Sequence, residues 1–217
     1  MESLFSLENA LAIIILIFSA ILHEIAHGYV ADRLGDPTAR LMGRLTLDPR
    51  PHIDPFMTII LPLLLIVTGS PIIFGGAKPV PVDPFNLKDG RKDMALVSLA
   101  GPLTNILLAI VAALFIHILL PGVPFVLAGT TFLGLILTKI VILNLLLAAF
   151  NLLPIPPLDG SKIFALLLPD KEANAYLSIG SIGMLIILFL LMIPIGPFSL
   201  LGLISGLLSF SLSLLGF

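Results

Sequence analysis

Residues 9–31 read NALAIIILIFSAILHEIAHGYVA, an apolar run from Asn9 to Ala31 whose last third contains His23-Glu24-Ile25-Ala26-His27. About 20 apolar residues in a helix cross the roughly 30 Å of bilayer hydrocarbon, so this stretch reads as a transmembrane helix with ionisable side chains set into it. Nothing basic precedes the run and no small-residue cleavage site follows it, which makes it a retained span rather than a leader peptide. Residues four apart on an α-helix differ by about 40° around the axis, so the two imidazoles share a face and can grip one tetrahedral metal ion. Glu24 then stands next to that ion, placed to move protons. Ionisable groups inside a membrane helix are costly unless they have work or partners there, so His23, Glu24 and His27 read as functional.

The rest of the chain agrees with a membrane setting. Of its 217 residues, 58% are hydrophobic and 11% charged, with a mean hydropathy of +1.17. A soluble domain carries about a quarter charged residues, so this composition excludes a water-soluble globular protein. No polar stretch is long enough for a separate soluble domain, and residues 1–217 read as a single membrane-embedded domain. A net charge of -2 without a basic run offers nucleic acid no footprint. Cysteine is absent, which leaves His, Asp and Glu to hold any metal.

Further apolar stretches cover Met94–Leu120, Thr131–Leu153, Ala175–Ile193 and Phe198–Leu215, while Phe56–Gly76 is apolar but broken by Pro62, Gly69 and Pro71. Lys and Arg gather in three links: Arg33 to Arg50, Lys78 to Lys92, and Lys162 to Lys171. The links Pro121–Thr130 and Pro194–Pro197 contain none. The positive-inside rule puts the basic links in the cytoplasm, which works only if Phe56–Gly76 enters and leaves on one side. The expected fold is an all-α polytopic membrane protein with about five full transmembrane helices, one re-entrant hydrophobic segment and short cytoplasmic β-like loops. Arg44–Leu47 alternates like a short strand, and Lys78–Val82 could offer a strand edge to an extended peptide. The expected home is the cell membrane, with the chemistry toward its cytoplasmic side.

Two histidines leave a catalytic zinc one protein ligand short. Asp159 is the leading candidate: Pro154, Pro156 and Pro157 turn the preceding backbone, so its carboxylate can be aimed inward. With His23-Glu24-x-x-His27, Ala100-Gly101-Pro102-Leu103-Thr104-Asn105 and Asn151-x-x-Pro154-x-x-x-x-Asp159-Gly160 in order, the chain resembles the site-2 protease family of intramembrane zinc metalloproteases, in a compact form without PDZ or CBS modules. The resemblance implies one zinc ion on His23, His27 and Asp159, and Glu24 as catalytic acid/base. It also implies cleavage of membrane protein or peptide substrates in or near their transmembrane segments. Asn105 and Asn151 are candidates for contact with the substrate backbone or oxyanion, and Asn144 reads as an interhelical hydrogen-bonding group. His52, in a His-x-Asp pair with Asp54, is an auxiliary or gating candidate. His117 and Lys139 read as locally paired groups near span ends. Gly202 and Gly206 form a small-residue spacing that leaves the oligomeric state open. The competing reading is a zinc-binding permease or sensor without proteolysis, against which stands the scarcity of polar residues in the outer half.

Overall fold

The computed structural model describes residues 7–60, 64, 76–193 and 199–217. Its first helix, α1 (Leu7–Leu34), begins in an unbroken Ala-, Leu- and Ile-rich run and stops at Gly35, whose φ of +116° only glycine adopts readily. The Asp36 backbone N–H then returns to the Ala31 carbonyl at 2.9 Å, closing the helix end. A short turn of helix, α2 (Thr38–Leu41), follows, and a six-residue π-helical turn occupies Pro55–Ile60. Most of the expected re-entrant segment, Phe56–Gly76, lies outside the described residues.

Helix α3 (Arg91–Leu119) has Asp93 reaching back to accept from the Asp89 backbone N–H at 2.8 Å, which satisfies a donor ahead of its first turn. After α4 (Phe125–Ala128) comes α5 (Phe132–Asn151), started by Thr131, whose hydroxyl accepts from the Gly134 N–H. Prolines after Leu153 end it. Helices α1, α3 and α5 are each long and apolar enough to cross a membrane. His27 meets Val97 while His23 meets Asn105, so α1 and α3 run antiparallel. Glu8 meets Lys139 and Ser19 meets Asn144, so α1 and α5 run parallel.

Between α3 and α5 the packing is close because α3 presents Ala109, Ala112 and Ala113 to Leu137, Val141 and Leu145. Small residues let backbones approach where lipid supplies no hydrophobic drive. Outward faces carry the large side chains: Leu107 is 60% exposed and Ile118 70%. Polar groups are turned inward instead, with Ser19, His23, Asn105, Thr138 and Asn144 all buried. Apolar exposure on that scale is untenable in water and ordinary against lipid.

The C-terminal part departs from the expected pair of straight spans. Helix α6 (Asp159–Phe164) is short, and the expected span Ala175–Ile193 is bent by 70° between α7 (Asp170–Ser178) and α8 (Gly180–Met192). The final helix, α9 (Leu200–Leu214), has 15 residues. Ile187 and Leu191 of α8 and Ile204 of α9 pack on Leu153 and Leu158, backing the segment that delivers Asp159.

Among the described residues there is no β-strand, and Arg44–Leu47 forms bends instead of the expected strand. Pro79 and Pro81 remove two of the N–H donors a ladder with 78–82 would need. Side chains hold that extended stretch in place. The Arg44 guanidinium donates to the carbonyls of Lys78 and Pro79, and the Lys78 N–H donates to the His52 carbonyl at 2.8 Å. Downstream, buried Asp36 accepts from the Asp83 backbone N–H at 2.7 Å and the Asn86 amide at 3.0 Å, besides the Thr38 backbone N–H. Burial opposes ionisation of Asp36, but the hydrogen bonds from Thr38, Asn86 and Asp83 outweigh it and hold its carboxyl below the usual range. That stabilisation is complete above about pH 4 and is lost as pH falls through the depressed value. Asp36→Ala is expected to cost about 3 kcal/mol at neutral pH, read as a lower unfolding midpoint in detergent, with the deficit shrinking in acid.

Candidate metal centre

Three elements aim ligand atoms at one point. His23 and His27 project from the same face of α1, and Asp159 opens α6 in its first turn. His23 Nε2 lies 3.0 Å from His27 Nε2 and 3.2 Å from Asp159 Oδ2, which is 3.1 Å from His27 Nε2. All three residues are buried, and they are the metal-competent cluster among the described residues.

Behind each imidazole stands α3. His27 Nδ1–H donates to the Val97 carbonyl at 2.7 Å, and His23 Nδ1 lies 2.5 Å from Asn105 Oδ1. One turn from each of these partners sits Gly101, where a Cβ would come 2.5 Å from both Nε2 atoms. A carbonyl only accepts, so His27 carries its proton on Nδ1 and turns the lone pair of Nε2 toward Asp159. Lone pairs converging with a carboxylate repel one another unless a cation lies among them. Tetrahedral ligands at about 2.0–2.1 Å from zinc stand about 3.3 Å apart, close to the observed triangle, so the residues fit a zinc ion. The outer oxygen of Asp159 is held separately: Lys162 Nζ donates to Oδ1 at 3.1 Å, leaving Oδ2 for the centre.

Glu24 faces a cleft of about 350 Å³ that is also lined by His23, His27, Val80, Asn151 and Asp159. Its Oε2 accepts from the Val80 backbone N–H at 2.7 Å, so the extended 78–82 stretch passes across the mouth of the site. Glu24 is not in the ligand triangle.

The other sequence candidates take different places. Asn151 lines the cleft and donates to the Leu147 carbonyl at 3.0 Å. Asn105 is fully buried behind His23, outside the cleft lining, with its amide nitrogen donating to Asn144 at 2.8 Å. His52 is buried in the loop and its Nε2 pairs with the Thr46 carbonyl at 3.0 Å, apart from the ligand triangle. His117 pairs with the Leu215 carbonyl and Lys139 lies 3.8 Å from Glu8. Sequence reasoning passed over Lys162 and gave Gly101 no role of its own. Lys162 stands three residues after Asp159 at a helix start, a spacing that brings the two side chains together.

The model of Peptidase family M50 matches residues 11–139 and 126–194. The chain is 40% identical over 190 residues to "Putative zinc metalloprotease YwhC" of Bacillus subtilis (strain 168), covering 87% of this chain and 83% of that protein. It is 34% identical over 180 residues to "Putative zinc metalloprotease Rip2" of Mycobacterium tuberculosis (strain ATCC 25618 / H37Rv), covering 82% of this chain and 64% of that longer protein. No solved structure gives a significant match. Every residue of the candidate metal centre, from His23 to Asp159, falls inside the family match, and the chain belongs to peptidase family M50, the site-2 protease family of zinc metalloproteases.

Proposed function

We propose that this chain is an intramembrane endopeptidase that holds one zinc ion on His23, His27 and Asp159 and cleaves membrane proteins in or near their transmembrane segments. The observation that carries this reading is the convergence of those three ligand atoms beside Glu24 on a membrane-length helix. Bound there, zinc supplies a Lewis acid that polarises the scissile carbonyl and makes water acidic enough to attack at neutral pH. Glu24 takes the proton from the attacking water and hands it to the leaving amine. The Val80 N–H steadies one carboxylate oxygen and leaves the other for that transfer. Lys162 holds the outer oxygen of Asp159 and leaves Oδ2 facing the histidines. Asn151, in the cleft wall, is within reach of an extended substrate backbone, whereas the 78–82 stretch has its Lys78 and Val80 N–H groups already committed and borders the cleft without offering a free edge.

The topology assigned here is about five spans with 56–76 re-entrant, the site toward the cytoplasmic side of the cell membrane. Two features support it. Ten of the eleven Lys and Arg residues fall on one side, all but Lys139. Antiparallel α1 and α3 also require the connection from 35 to 90 to begin and end at the same face.

Purified protein in proteoliposomes is expected to bind one zinc per chain and to cut a single-span reporter. Cleavage should stop with 1,10-phenanthroline and return on adding zinc. Cleavage that persists in the zinc-stripped protein would overturn the reading, as would zinc flux across the bilayer without cleavage.

A further inference from the structure

A chain of buried hydrogen bonds links the metal centre to α5. Asn144 Nδ2 lies 2.9 Å from the Ile140 carbonyl and 2.9 Å from Ser19 Oγ, Asn144 Oδ1 lies 2.8 Å from Asn105 Nδ2, and Asn105 Oδ1 lies 2.5 Å from His23 Nδ1. Asn105 and Asn144 are both 0% exposed, so water has no share in these bonds. Each amide has a donor end and an acceptor end, so the direction of the whole chain depends on its terminus. That terminus is a backbone carbonyl, which only accepts. Asn144 must turn its NH₂ to Ile140, and therefore its oxygen to Asn105. Asn105 must then turn its NH₂ to Asn144 and its oxygen to His23. Facing an acceptor, His23 Nδ1 must carry hydrogen, and Nε2 is left with the lone pair that points at Asp159 and His27.

We propose that the Ile140 carbonyl, acting through Asn144 and Asn105, dictates which nitrogen of His23 carries its proton, making both asparagines positioning residues for the metal centre. His27 reaches the same state in one step through the Val97 carbonyl. His23 Nδ1 meets the Asn105 amide instead of a backbone carbonyl, and two amides carry the polarity to it. The rival outcome without this relay is a His23 protonated on Nε2, which cannot ligate. Asn144 is thereby more than an interhelical fastener, and Asn105 acts on the histidine rather than on the peptide being cut. The inference rests on the zinc-site reading, and the test separates the two.

Zinc affinity is measured by competition with a chromophoric chelator, and Co(II) spectra report ligand geometry. Asn105→Leu and Asn144→Leu keep the number and branching of side-chain heavy atoms and break the relay. Each is expected to weaken zinc binding by about 10–100-fold and alter the Co(II) d–d bands. Asn105→Asp keeps an acceptor facing His23 Nδ1 in either protonation state of its carboxyl, and should bind zinc within about threefold of wild type. Ser19→Ala removes a partner that can donate or accept and so does not set direction; it too should stay within about threefold. Wild-type-like zinc affinity in Asn105→Leu would overturn the relay, as would loss in Asn105→Asp equal to that in Asn105→Leu. If Asn105→Leu does not fold, the Asn105→Asp and Ser19→Ala affinities decide. Failure of wild type to bind zinc would sink the zinc site itself.

Discussion

Glu24→Gln is expected to retain its zinc and to cleave about 10²–10⁴-fold more slowly than wild type. Glu24 lies in the cleft wall but outside the ligand triangle, so the substitution leaves His23, His27 and Asp159 in place. Glutamine has the same shape and its amide oxygen can still accept from the Val80 N–H, so the 78–82 stretch keeps its tether. What disappears is a group able to take a proton from water and return it to the amine. Zinc content by mass spectrometry and single-turnover cleavage of a single-span reporter read the two effects separately. Cleavage at the wild-type rate would remove Glu24 from the mechanism. Loss of zinc together with cleavage would make it a ligand instead.

The second large effect comes from one methyl group. Gly101→Ala places a Cβ 2.5 Å from both Nε2 atoms, a separation that no side-chain atom tolerates, and both imidazoles are held from behind by Val97 and Asn105. They cannot retreat without giving up those bonds. The variant is therefore expected to lose at least about 100-fold in zinc affinity, and with it cleavage, while still inserting and folding in the membrane. Gly206→Ala is the matched control. Among the described residues nothing lies within 4 Å of its added Cβ, so zinc and activity should be unchanged. Zinc bound at wild-type affinity in Gly101→Ala would mean that α3 is not packed on the ligands as described.

The meeting of His23, His27 and Asp159 was legible in the sequence because its signals are local. The spacing of His23 and His27 places them on one helical face, and the prolines before Asp159 announce a turn that re-aims the chain. Positions that depend on the meeting of helices were not legible. Asn105 reads in the sequence as a candidate for the substrate backbone or oxyanion, whereas its engagement with His23 and Asn144 follows from the register of α1, α3 and α5. Gly101 is one small residue among eighteen glycines until α3 is set against the imidazoles. The strand expected at Arg44–Leu47 does not form, and the nearby stretch held by the Arg44 side chain contains Pro79 and Pro81, which lack the N–H donors of a partner strand. The bend between α7 and α8 has no matching proline signal, since hydropathy reports how apolar a stretch is and says nothing about its direction.

Each imidazole has its own anchor on α3, through Val97 or Asn105, and neither anchor involves the metal. Small zinc domains fold around their ion and collapse when it is stripped away. Here the two imidazoles are set against α3 by helix packing, so the fold is expected to outlast removal of the metal. A chelated sample should remain a folded membrane protein ready to be reloaded.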